Sequence, residues 1–122
     1  MPVTYRFDAN IVVLEMVGEY SMDEVRQTIL NSISDPKFPA NTCLLIDLSE
    51  SQSIYKRSTE EVKAMAQYIA SLGERFNNRI ALVAHSDLPY GLMRMSSVGS
   101  EERGVKSAVF RTVAEARKWL VA

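Results

Sequence analysis

Apolar and polar residues alternate over residues 3–7, and the turn residues Asp8-Ala9-Asn10 lead into a β-branched stretch at 11–17. This pattern predicts an opening β-hairpin closed by Gly18. Ser21-Met22-Asp23-Glu24 then has the spacing of a capping box, in which hydroxyl and carboxylate satisfy free amides at a helix start. Met22, Val25, Ile29 and Ile33 follow on one helical face, and Asp35-Pro36 stops the helix. The same grammar repeats. Residues 42–48 and 79–85 read as short apolar strands of the kind covered by helices on both sheet faces. Between them a second box, Ser58 to Glu61, opens a helix with the stripe Val62, Met65, Ala66, Ile69, Leu72 and Phe76. Asp87-Leu88-Pro89 starts a third helix with Leu88, Leu92, Met95 and Gly99 inward, and Gly104 ends that segment. Residues 105–110 form the last strand. A third box, Thr112 to Glu115, opens a terminal helix that buries Val113, Ala116 and Leu120.

The predicted order is β-β-α-β-α-β-α-β-α, an α/β domain with a five-stranded mixed, mostly parallel sheet flanked by four helices. No boundary or repeat divides the sequence, so one domain is expected over residues 1–122.

Composition narrows the functional classes. The chain is 47% hydrophobic and 24% charged, as in ordinary globular domains, and its net charge of -1 lacks the positive field of a general nucleic-acid binder. Cys43, the single cysteine, lies in an apolar run and reads as a small buried thiol. The first residues show no secretory signal pattern, and no apolar run approaches the roughly twenty residues of a membrane helix. A cytoplasmic address is expected.

Loops leaving the carboxyl ends of parallel strands hold the candidate chemistry. Asp47, Ser49, Tyr55, Lys56 and Arg57 are expected after the third strand, and His85 and Asp87 after the fourth, as a rim for a ligand or partner. Ser49, His85 and either Asp47 or Asp87 are the residue types of a hydrolytic triad, but no Gly-x-Ser-x-Gly elbow presents the serine. Asp47 is equally suited to capping a turn. One histidine and one buried cysteine cannot build a usual metal site, and no glycine-rich phosphate loop occurs. No cofactor is expected. The basic Tyr55-Lys56-Arg57 stretch just before a helix favours anions, or is simply a solvated loop.

The third helix carries a second apolar line, Tyr90, Met93 and Ser97, with Met95 nearby. These residues suit a self-association surface, an adaptable wall for an apolar ligand, or a broadly buried helix. Trp119 in the last helix reads as a partly buried anchor.

Leu45-Ile46-Asp47-Leu48-Ser49 and the closing Val109-Phe110-Arg111-Thr112-Val113-Ala114-Glu115-Ala116-Arg117-Lys118-Trp119-Leu120, together with the opening strands, make the chain resemble the SpoIIAA-like group. That group includes the STAS domains of anti-sigma-factor antagonists and sulfate transporters, and the resemblance is strongest to its compact stand-alone bacterial members of unknown function. It implies a SpoIIAA-like sheet flanked by helices and a role in binding partners or small ligands. In the antagonists, Asp-Leu-Ser precedes an apolar residue and Asp-Ser-Ser-Gly, whose serine is phosphorylated. Here Asp47-Leu48-Ser49 and Ile54 keep the spacing, but Tyr55-Lys56-Arg57-Ser58 replaces the phosphorylated motif. Ser58 already serves as a helix cap, so the switch transfers neither to it nor to Ser53. The lipid-carrying domains of the CRAL-TRIO type share a broadly similar architecture, an analogy at the level of fold.

The sequence thus points to a non-enzymatic regulatory or protein-interaction module, expected to be a homodimer. The alternatives are a carrier of a small apolar ligand and a small Ser/His hydrolase.

Overall fold

Two residues join the first two strands. In the computed structural model, which describes residues 2–53, 57–97 and 104–121, β1 (Val3–Asp8) and β2 (Ile11–Gly18) pair antiparallel, Val3 opposite Met16 and Asp8 opposite Ile11. Ala9, in the turn, has φ 53°, a left-handed conformation that short hairpins use and that alanine disfavours. The chain continues as α1 (Met22–Ser34), β3 (Cys43–Ser51), α2 (Thr59–Ser71), β4 (Arg79–Val83), α3 (Asp87–Ser97), β5 (Lys106–Phe110) and α4 (Val113–Leu120).

The strands stand side by side in chain order, and β2 to β5 are mutually parallel. Right-handed crossovers that all step the same way must lay their helices on one face. Val25 and Ile29 of α1, Val62, Met65 and Ile69 of α2, and Met93 of α3 accordingly share one core with Leu14, Leu44, Ile46 and Ile80 of the sheet. The chain then folds over, so that Ala116 and Leu120 of α4 cover Ile11, Val13, Cys43, Leu45, Ala81 and Val83 on the opposite face. Alternation along β3 feeds both cores: Leu44, Ile46 and Leu48 point to the three-helix side, Cys43 and Leu45 to α4. Cys43 is buried, and that burial pushes its thiol pKa up.

Two capping boxes are complete, with the hydroxyls of Ser21 and Ser58 accepting from the amides of Glu24 and Glu61 and the glutamates returning the bond. The third is half formed. Thr112 accepts from the Glu115 amide at 3.2 Å, but its hydroxyl, not its backbone, donates to the Glu115 carboxylate at 3.0 Å.

The structure corrects the sequence reading at several element boundaries. β3 continues through Ser51 because the β2–β3 register shifts: Glu15 stands opposite Asp47, but Val17 stands opposite Glu50. Asp47 and Ser49 are therefore strand residues at a bulge, not loop residues. β4 ends at Val83, before His85. α2 ends at Ser71, and Phe76 reaches the core through a separate 3₁₀ turn, Gly73–Phe76. In α3 the inward positions are Pro89 and Met93, whereas Leu88 is 57% exposed. Apolar residues at 88, 90, 92, 93 and 95 surround much of that helix, so spacing alone does not choose its face. Gly99 lies outside the described residues, as do the side chains of Leu92, Met95 and Ser97.

Candidate ligand cavity

Between the three-helix layer and the sheet lies a partly enclosed cavity of about 80 Å³. Its floor is sheet: Met16, Ile46, Leu48, Ile80 and Leu82. Met22 and Val25 of α1, Val62, Met65, Ala66, Ile69 and Ala70 of α2, and Met93 of α3 form its walls. Four methionines and two alanines line the space between α1, α2, α3 and the sheet. Methionine is long, unbranched and polarizable, so such a lining can repack around a guest.

One end of the cavity is polar. The backbone between β2 and α1 is tied there to the end of β3, with the Tyr20 amide donating to Ser53 Oγ at 2.8 Å and the Tyr20 hydroxyl 2.6 Å from Ser51 Oγ. Arg57, immediately before the Ser58 cap, donates from Nη2 to the Tyr20 carbonyl and holds its guanidinium 5.7 Å from the centre of the Tyr20 ring. Burial raises the Tyr20 pKa, partly opposed by the Ser51 hydrogen bond and the Arg57 charge. The Arg57 side chain is 18% exposed and stands 3.8 Å from Glu61 Oε2. Its Nε is buried and meets no acceptor among the described residues.

The other rim candidates separate into two groups. Asp47 accepts the Ser49 amide at 3.0 Å, so its carboxylate braces the β3 bulge. Ser49 Oγ is buried and has no hydrogen-bond partner among the described residues. His85 is engaged elsewhere: its Nδ1 donates to the Arg111 carbonyl at 2.6 Å. Ser49 and His85 thus lack the nucleophile–base hydrogen bond of a hydrolase. Arg111 also pairs with Asp87 at 2.9 Å and stacks 4.0 Å from the Tyr90 ring centre. His85, Asp87 and Tyr90 consequently form, with Arg111, a latch between the loops after β4 and β5. Met93, expected with Tyr90 to form a self-association surface, a ligand wall or part of a broadly buried helix, is buried and lines the cavity. Tyr55 and Lys56 lie outside the described residues.

The sequence pattern marks Arg57 and Met93 as candidates but not Met16, Met22 or Tyr20. Met16 and Met22 fit ordinary strand and helix patterns, and nothing in their spacing marks them as cavity walls. Tyr20 stands between Gly18 and the first capping box, a faint signal of an ordered turn residue. No cluster of three or more His, Cys, Asp or Glu suited to a metal occurs among the described residues, and no helix among them is long and apolar enough to cross a membrane.

No protein-family profile and no curated protein matches the sequence. A solved structure does match: an uncharacterized protein of the DUF3478 family, with a SpoIIAA-like fold, from Shewanella loihica PV-4. The likeness has a TM-score of 0.58 and covers 97% of this chain and 91% of that one, at 16% sequence identity. With the five-stranded mixed sheet and its four helices, that similarity shows that this chain has a SpoIIAA-like fold.

Proposed function

We propose that the protein is a binding module without catalytic chemistry, which takes a small, largely apolar molecule between its sheet and its methionine-bearing helices. The supporting observation is the cavity itself, concave and apolar with few polar groups, as small-molecule sites generally are. Its resting volume of about 80 Å³ is small, and a guest enters as Met16, Met22, Met65 and Met93 change rotamer. The engagement of His85 Nδ1 by the Arg111 carbonyl, with no hydrogen bond to Ser49 Oγ, favours binding over hydrolysis.

Native mass spectrometry of freshly purified protein tests this reading, together with titration of a neutral fluorescent probe, N-phenyl-1-naphthylamine. Wild type should carry added mass or bind the probe saturably, and Ala66→Trp, which fills the cavity, should lose that binding with its circular dichroism unchanged. Wild type that shows neither added mass nor probe binding removes the proposal.

A further inference from the structure

The cavity proposed above as the binding site contains one charged residue among its described lining, and that residue has an unmet bonding need. Arg57 is mostly removed from water, its Nε lacks an acceptor among the described residues, and Glu61 at 3.8 Å is too distant for a hydrogen bond. A mostly buried cation whose ion pair is long and half-exposed keeps part of its desolvation cost, and an unsatisfied guanidinium N–H adds to it. The tie to the Tyr20 carbonyl and the stacking on the Tyr20 ring fix the position of the guanidinium, and its long ion pair with the half-exposed Glu61 carboxylate leaves room for a closer anion.

We propose that the ligand is an amphiphile with a single carboxylate, which binds its carboxylate to Arg57 and its aliphatic chain among the methionines. This inference rests on the cavity reading and deepens it. A carboxylate offers two acceptors to a guanidinium and forms a stronger, charge-assisted bond than a neutral group does. One cation matches a monoanion. A phosphate dianion would bring a second negative charge beside Glu61 with no further cation in the described lining. The apolar part is slender for a related reason: the cavity is roughly half the ~150 Å³ that accommodates benzene, so a flexible chain enters with less repacking than fused rings do.

Displacement of N-phenyl-1-naphthylamine by octanoate, octanol and octyl phosphate tests the assignment on wild type, Arg57→Met and Arg57→Lys. Wild type should prefer octanoate to octanol about tenfold, the effect of one charge-assisted contact. Arg57→Met should abolish that preference while leaving octanol binding within about twofold, and Arg57→Lys should keep part of it. Equal binding of octanoate and octanol to wild type, a comparison that needs no variant, overturns the carboxylate assignment and leaves the cavity reading intact. Tighter binding of octyl phosphate than of octanoate likewise overturns it. If none of the three displaces the probe or, where the probe does not bind, adds mass to the protein in native mass spectrometry, both readings fall together.

Discussion

His85 and Arg111 hold each other reciprocally: His85 Nδ1 donates to the Arg111 carbonyl at 2.6 Å, and Arg111 Nη1 donates to the His85 carbonyl at 2.7 Å. The pair joins the loop that launches α3 to the loop that launches α4. Arg111→Met removes one of these bonds and the stacking on Tyr90, and should destabilise the protein by about 1–2 kcal/mol in urea denaturation. Asp87→Asn should cost less than about 0.5 kcal/mol, because that carboxylate is 97% exposed and water screens its ion pair. A larger loss from Asp87→Asn than from Arg111→Met would contradict this account of the latch.

The face that α3 turns inward can be tested by two substitutions. Met93 is 7% exposed and Leu88 57% exposed. Met93→Ala should cost about 2–4 kcal/mol, toward the low end if the cavity already leaves part of the side chain unpacked, while Leu88→Ser should stay within about 0.5 kcal/mol. Chemical denaturation of the two variants separates this orientation from one with Leu88 inward, which requires the reverse order.

Tyr5 donates its hydroxyl to Asp35 Oδ2 at 2.7 Å and thereby ties β1 to the end of α1. The Lys37 backbone amide and then the Tyr5 hydroxyl hold the Asp35 carboxyl below its usual range, while the bond to Asp35 holds the Tyr5 phenol above its own. A lowered acid pKa means that the contribution of Asp35 is present above about pH 4 and is lost as pH falls through the depressed value. A raised phenol pKa means that the contribution of Tyr5 is present below about pH 10 and is lost as pH rises through the elevated value. Thermal melts of wild type and Tyr5→Phe should therefore differ most near neutrality and converge at both extremes. A constant difference across pH would refute the coupling.

Gly73 begins the 3₁₀ turn because nothing larger fits there. A Cβ at this position would overlap Val105 Cγ2 and meet Asn78 Oδ1 at 3.0 Å. Gly73→Ala should destabilise by about 1–3 kcal/mol, and adding Val105→Ala should recover part of that loss, as for neighbours sharing one space. Strictly additive losses in the double variant would show that the clash is not the cause.

The order and type of the elements were legible because each is marked locally: Ser21, Ser58 and Thr112 start helices, and β-branched runs mark strands. Features that depend on pairing were not. The extra length of β3 comes from a register shift against β2, and neither strand shows it alone. The inward face of α3 depends on contacts with distant elements, including the pinning of Tyr90 by Arg111, which lies beyond β5 and outside any helical pattern. At the candidate site, Arg57 stood out by its charge and Met93 by its spacing. Tyr20 and Met16 reach the cavity only through tertiary packing, so composition gives them no mark.

The coincidence of chain order with sheet order affects how this protein is made. Each new strand can be added to an edge already present as the polypeptide leaves the ribosome, and α1, α2 and α3 can dock in turn. The opposite face has no such gradual cover. Ile11, Val13, Cys43, Leu45, Ala81 and Val83 wait for Ala116 and Leu120, which follow all five strands in the sequence, so a chain that has not yet reached α4, or is cut before it, exposes an oily plane that invites aggregation.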